Sequence, residues 1–169
     1  MATIKTPAIA CIGVIGRQNN PLHTSIFPAE GEKEERSKLD FSFMLSTCLD
    51  IFEARLPEKN VGQDFGLLQA IDERLAMYGW LTNTGVKLVV VVDMEGRQSP
   101  ANDSRTPPAF QALQKAYINL LRNPFYTPED HSPSASAHQS TASTQITSRN
   151  FIKEVSRIGR VWAPAIASR

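Results

Sequence analysis

A chain of 169 residues, 41% of them hydrophobic, has material for one folded domain with its own core and little left for a second. Its 18 Lys and Arg against 17 Asp and Glu give a formal charge of +1, and the basic residues form no single cluster in the sequence, which argues against a nucleic-acid partner held through phosphates. No apolar run reaches the roughly 20 residues that cross a bilayer, and Gly13, Gly16 and Arg17 interrupt the N-terminal apolar stretch, so a cytosolic chain without signal peptide or transmembrane segment is expected.

Ala8 to Ile15 is apolar without polar alternation, which predicts a strand covered on both faces. Gln18-Asn19-Asn20-Pro21 turns the chain into Leu22 to Phe27, a mixed run that suits a sheet edge. Glu30 to Lys38 reads as a charged connector. From Leu39 to Leu56 the spacing is helical, with Phe41, Met44, Leu45, Cys48, Ile51 and Phe52 on one stripe facing the sheet. Leu39, Phe43 and Asp50 fall on the opposite side. An outward aromatic in line with a carboxylate is either a scattered surface residue, one covered by the chain's own tail, or a contact patch for another protein. These three are the candidate partner-contact residues.

After a loop at Pro57 to Gln63, Phe65 to Ile71 predicts a third strand. Tyr78 to Leu81 and Leu88 to Val92 then flank Asn83-Thr84-Gly85, the residues of a tight hairpin. The Leu88 to Val92 run is mostly β-branched and wholly apolar, so it belongs in the middle of the sheet beside Ala8 to Ile15. Met94 to Arg105 reads as loop, and Thr106-Pro107-Pro108 as a helix start with a capping hydroxyl. Phe110, Leu113, Tyr117, Leu120 and Leu121 share the buried face of that helix, which Asn123-Pro124 ends. His131 to Ser148 is rich in Ser, Thr, Ala and Gln and predicts a disordered insert, because it buries too little apolar surface to offset its ordering entropy. A last helix spans Arg149 to Trp162, with Phe151, Ile152, Val155, Ile158 and Trp162 on one side. The order β-β-α-β-β-β-α-α predicts a single α+β domain with its core at about residues 8 to 162. A five-stranded antiparallel sheet carries one helix on one face and two on the other.

Chemistry-bearing patterns are scarce. Gly13-Val-Ile-Gly16 lacks phosphate-loop spacing and leads into a hairpin. His23, His131 and His138 show no ligand spacing, and Cys11 and Cys48 stand alone in apolar stretches as buried free thiols. Asp93 and Asp72-Glu73 read as turn residues. No catalytic residue, metal site or cofactor is expected. Asn123-Pro124-Phe125-Tyr126 matches the N-P-x-Y pattern of endocytic signals, but it also makes a turn after a helix, with Phe125 and Tyr126 able to pack on the core; the structural reading is preferred.

Ala10-Cys-Ile-Gly-Val-Ile-Gly16, Asn20-Pro-Leu22, Leu49-Asp50, Tyr78-Gly-Trp-Leu-Thr-Asn83, Val86 to Asp93 and Asn123-Pro-Phe-Tyr-Thr-Pro128 together resemble, in this order, the sedlin family of TRAPP subunits. The resemblance runs from about Ala8 to Trp162. It implies a longin-like (SNARE-like) fold without enzymatic activity or cofactor. It also implies an adaptor bound to other TRAPP subunits, acting on Rab GTPases and vesicle membranes indirectly, at the cytoplasmic side of Golgi or ER-Golgi membranes. The acidic residue late in the family's first helix matches Asp50 and is associated with partner contact. The insert at His131 to Ser148 and the charged Glu30 to Lys38 segment are longer than the family's usual connections. The alternative is a longin-type regulatory domain that binds a SNARE or a small GTPase directly; a SNARE would add a heptad helix and anchor, neither of which is expected after Trp162.

Overall fold

A computed structural model of the chain describes residues 8–28, 38–56, 64–94, 107–126 and 146–162. Strands β1 (Ala8–Ile15) and β2 (Pro21–Ile26) are followed by helix α1 (Lys38–Arg55). Strands β3 (Asp64–Ala70), β4 (Leu75–Leu81) and β5 (Lys87–Asp93) come next, then helices α2 (Pro107–Leu121) and α3 (Arg149–Val161). The element order is the one the sequence predicts.

The strands form one antiparallel sheet in the order β2-β1-β5-β4-β3. Central β5, with Leu88 to Val92 all buried, pairs with β1 from Ile15↔Lys87 to Ala8↔Asp93 and with β4 from Leu81↔Lys87 to Leu75↔Asp93. Two tight connections at one end of the sheet join β4 to β5 and β1 to β2. Gly85 takes φ 83° between β4 and β5, where Thr82 N donates to Val86 O at 2.9 Å. Asn19 takes φ 64° between β1 and β2, where Gly16 N donates to Asn20 O at 2.8 Å. Asparagine is one of the few side-chain-bearing residues that tolerate that conformation.

Because side chains alternate along a strand, β5 serves two cores. Leu88, Val90 and Val92 join the layer under α2 and α3, and Val89 and Val91 join the layer under α1. In β1, Ile12 and Val14 face the former and Cys11 and Ile15 the latter, with a register shift between Ile9 and Cys11 that keeps Ile9 on the α2–α3 side. One helix therefore covers one face and two cover the other.

On the two-helix side, Phe110 of α2 stacks on Trp80 at 6.0 Å, and Phe151 of α3 meets His23 edge-on at 5.5 Å. Gly159 lets α3 lie against β2's end: a Cβ there would stand 2.1 Å from Phe27 Cζ.

Outside α1, the structure departs from the sequence reading in four places. β4 begins at Leu75 instead of Tyr78, because Asp72 Oδ1 accepts from Arg74 N and Leu75 N, both at 2.7 Å, and closes the turn early enough for Leu75 to Met77 to pair with Val91 to Asp93. Leu121 is exposed; it lies one residue, about 100° of helix, past buried Leu120. Phe125 is 92% exposed, since the turn held by Tyr126 N donating to Asn123 O (3.0 Å) sends only Tyr126 toward the core. Ile146, placed in the insert by composition, is buried and its amide donates to Leu22 O at 2.8 Å. The rest of that insert through 145, the connector at 29–37, the loops at 57–63 and 95–106 and the cap at Thr106 lie outside the described residues.

Candidate functional site

The inner face of α1 decides where its outer face points. Phe41, Leu45, Cys48 and Phe52 recur at helical spacing and are buried. The sheet beneath offers two glycines as sockets. A Cβ on Gly13 would stand 2.6 Å from Leu45 Cδ2, and one on Gly79 would stand 2.6 Å from Phe52 Cζ, so the helix comes closer than any side chain at those positions would allow. Phe52 also packs against Phe65 with ring centroids 4.9 Å apart. Met44 and Ile51, assigned to the core stripe by spacing, are half-buried at its margins.

Polar ties fix the C-terminal end of the helix. Arg55 Nη1 donates to Phe65 O (3.2 Å) and Leu67 O (2.8 Å), and Nη2 donates to Leu68 O (3.2 Å). These carbonyls belong to β3, an edge strand whose pairing with β4 shifts register at Asp64/Gly66 and at Leu67/Gln69. A guanidinium fork over an irregular edge closes that stretch to strand addition. Farther along the sheet end, Asn19 Nδ2 donates to Glu53 Oε1 (3.2 Å) while Lys87 Nζ donates to Asn19 Oδ1 (2.7 Å). Burial pushes the buried Lys87 below the usual lysine range, opposed by the negative Glu53 nearby. An ordered hairpin thus links helix to sheet through one asparagine.

With the helix pinned this way, Leu39 is 76% exposed, Phe43 71%, and Asp50 is exposed as well. The structure therefore places all three sequence candidates on the surface. Phe43 also lines a groove between α1 and the β3 edge, with Asp40, Met44 and Thr47 on the helix wall and Gln69 and Ile71 on the strand side. Its volume is about 410 Å³. Sequence spacing missed Gln69 and Ile71, whose relation to Phe43 depends on how β3 lies beside α1; the available signal was that a single helix cannot cover five strands. Apolar walls with one carboxylate at the rim can hold an apolar side chain with a donor beside it, which is binding chemistry.

Burial pushes the Cys11 and Cys48 thiols up to about 12, so neither is a thiolate at neutral pH. Among the described residues no three His, Cys, Asp or Glu cluster as metal ligands. Asp93 closes the end of β5 through an ion pair with Arg74 at 2.7 Å. No helix among the described residues is long and apolar enough to cross a membrane.

An open five-stranded antiparallel sheet with α1 alone on one face and α2 and α3 on the other is a longin-like domain. The family described as Sedlin matches residues 14–161, and the chain belongs to it. The chain is 32% identical over 126 residues to trafficking protein particle complex subunit 2-like protein of Bos taurus, covering 71% of this chain and 84% of the bovine one. The Rattus norvegicus protein of that name is 33% identical over the same shares. The one from Dictyostelium discoideum is 30% identical over 153 residues, 89% of this chain and 95% of its own.

Proposed function

We propose that this chain is a non-catalytic adaptor subunit of a TRAPP vesicle-tethering complex, and that Leu39, Phe43 and Asp50 on the outer face of α1 contact a neighbouring subunit. The observation that carries the reading is Phe43, an aromatic 71% exposed over a groove on a helix whose other side is fully committed to the core. Exposed aromatics over a pocket are the usual anchors of protein interfaces. Family membership and the names of its relatives supply the complex. The chain acts on Rab GTPases and vesicles through that complex, at the cytoplasmic side of Golgi or ER-Golgi membranes, and binds no cofactor.

Asp50→Tyr tests the assignment. The change is on the exposed face, so the variant folds with an unchanged melting temperature. Affinity purification of tagged wild-type chain from its own cells should recover TRAPP subunits, identified by mass spectrometry, and the variant should recover fewer. Recovery of a SNARE or a lone GTPase with the wild type would move the function to a longin-type regulatory domain. Loss of folding in the variant would remove Asp50 from the contact surface.

A further inference from the structure

Charge that is scattered in the sequence is sorted by the fold. At 3.6 residues per turn, Arg149, Lys153, Arg157 and Arg160 fall on one stripe of α3, opposite the buried Phe151, Val155 and Ile158. All four are exposed, and they run along about 16 Å of helix. The one acidic residue of α3, Glu154, holds Arg157 (Arg157 Nη2 to Glu154 Oε1, 2.5 Å) and also feels Lys115 of α2. On α2 and the turn after it, the outward row is Lys115, Ile118 and Arg122, with Phe125 standing out beyond. Val161, next to Arg160, is 67% exposed.

These two helices and that turn hold six basic residues and one acidic one, whereas α1 holds two basic and three acidic. Of the two basic residues of α1, Arg55 is turned onto β3. In a chain of formal charge +1, the described helices on the two sides of the sheet thus differ in sign.

We infer that the outer face of α2 and α3 docks directly on an anionic lipid surface. Long basic side chains at fixed helical intervals, with Ile118, Phe125 and Val161 between and beside them, suit a headgroup layer. There phosphates and serine carboxylates move laterally to meet each charge, and the apolar side chains sink between them. An acidic protein would need carboxylates prearranged at matching intervals and would gain little from such isolated apolar residues. The site is independent of the α1 contact, which it leaves turned away from the membrane.

Co-sedimentation of the full chain with phosphatidylcholine vesicles, with and without phosphatidylserine, tests this. Binding is expected only with phosphatidylserine and weakens as salt rises. Each basic residue near such a surface is worth about fivefold in binding, so Arg149→Gln, Lys153→Gln and Arg160→Gln combined should lower it about a hundredfold with the melting temperature unchanged. Arg149→Lys with Arg160→Lys should bind as wild type, and so should Phe43→Ala. Equal sedimentation on phosphatidylcholine alone, none on phosphatidylserine vesicles, or an unaffected glutamine variant would overturn the inference. Retention on polyglutamate without vesicle binding would likewise overturn it and give the face to a protein partner.

Discussion

On one side of the sheet α1 lies alone, seated by Phe41, Leu45, Cys48 and Phe52; on the other, α2 and α3 share a larger apolar layer that also takes in Trp80, Tyr126 and Ile146. A lone helix can seal only the strands directly under it. The margin toward β3 stays open as a groove, and apolar side chains remain on the outer face. The helix pair carries the larger apolar layer, and what it presents outward is a basic row with Ile118, Phe125 and Val161 beside it. The open groove thus follows from how many helices each face receives.

The sharpest way to break the one-helix side is Phe52→Ala. Phe52 has no exposed surface and fills the space above Gly79, so its truncation should cost about 3–5 kcal/mol in urea unfolding. A loss below about 1 kcal/mol would mean that α1 is not what covers that face. On the two-helix side, Gly159→Ala should cost about 1–3 kcal/mol, because the added methyl overlaps the Phe27 ring and either α3 or β2 must move. Phe27→Leu in the same chain should return part of that loss; strict additivity of the two changes would show that the contact is not the cause.

The smallest effect expected is a pH dependence confined to the two-helix side. His23 is half-buried against Phe151, with its Nε2 2.7 Å from Ser25 Oγ, and burial lowers its pKa below 6.5. The unfolded chain therefore takes up a proton first as pH falls. The contribution of neutral His23 is complete above 6.5 and is lost as pH drops from there through the folded value. Melting temperatures across this window should fall less in His23→Phe than in wild type; equal slopes would assign the acid sensitivity elsewhere.

Much of this arrangement was legible in the sequence. β1 and β5 announce themselves as apolar runs without alternation, and the α1 stripe by its period, because burial on both faces and burial on one leave different patterns. From that same period followed the exposure of Leu39, Phe43 and Asp50. The first half of β4 was hidden because its start depends on a side chain, Asp72, bonding two amides of the turn. Phe125 points outward against expectation because apolar character alone does not say which of two neighbours a turn directs inward. The groove beside Phe43 needed Gln69 and Ile71, contacts made across the fold. The basic stripe on α3 is legible in the sequence only through the helical period of its charges, which its apolar residues do not reveal.

The two cysteines lend the seam under α1 an internal reporter. Cys11 is on the sheet and Cys48 on the helix, both with no exposed surface in the same apolar layer, and both with pKa values pushed up to about 12. An alkylating reagent added to the native chain finds neither thiolate nor access, so modification must wait until α1 lifts from the sheet. The rate of labelling therefore clocks the opening of that one helix. A partner that grips its outer side would slow the clock without touching either sulfur.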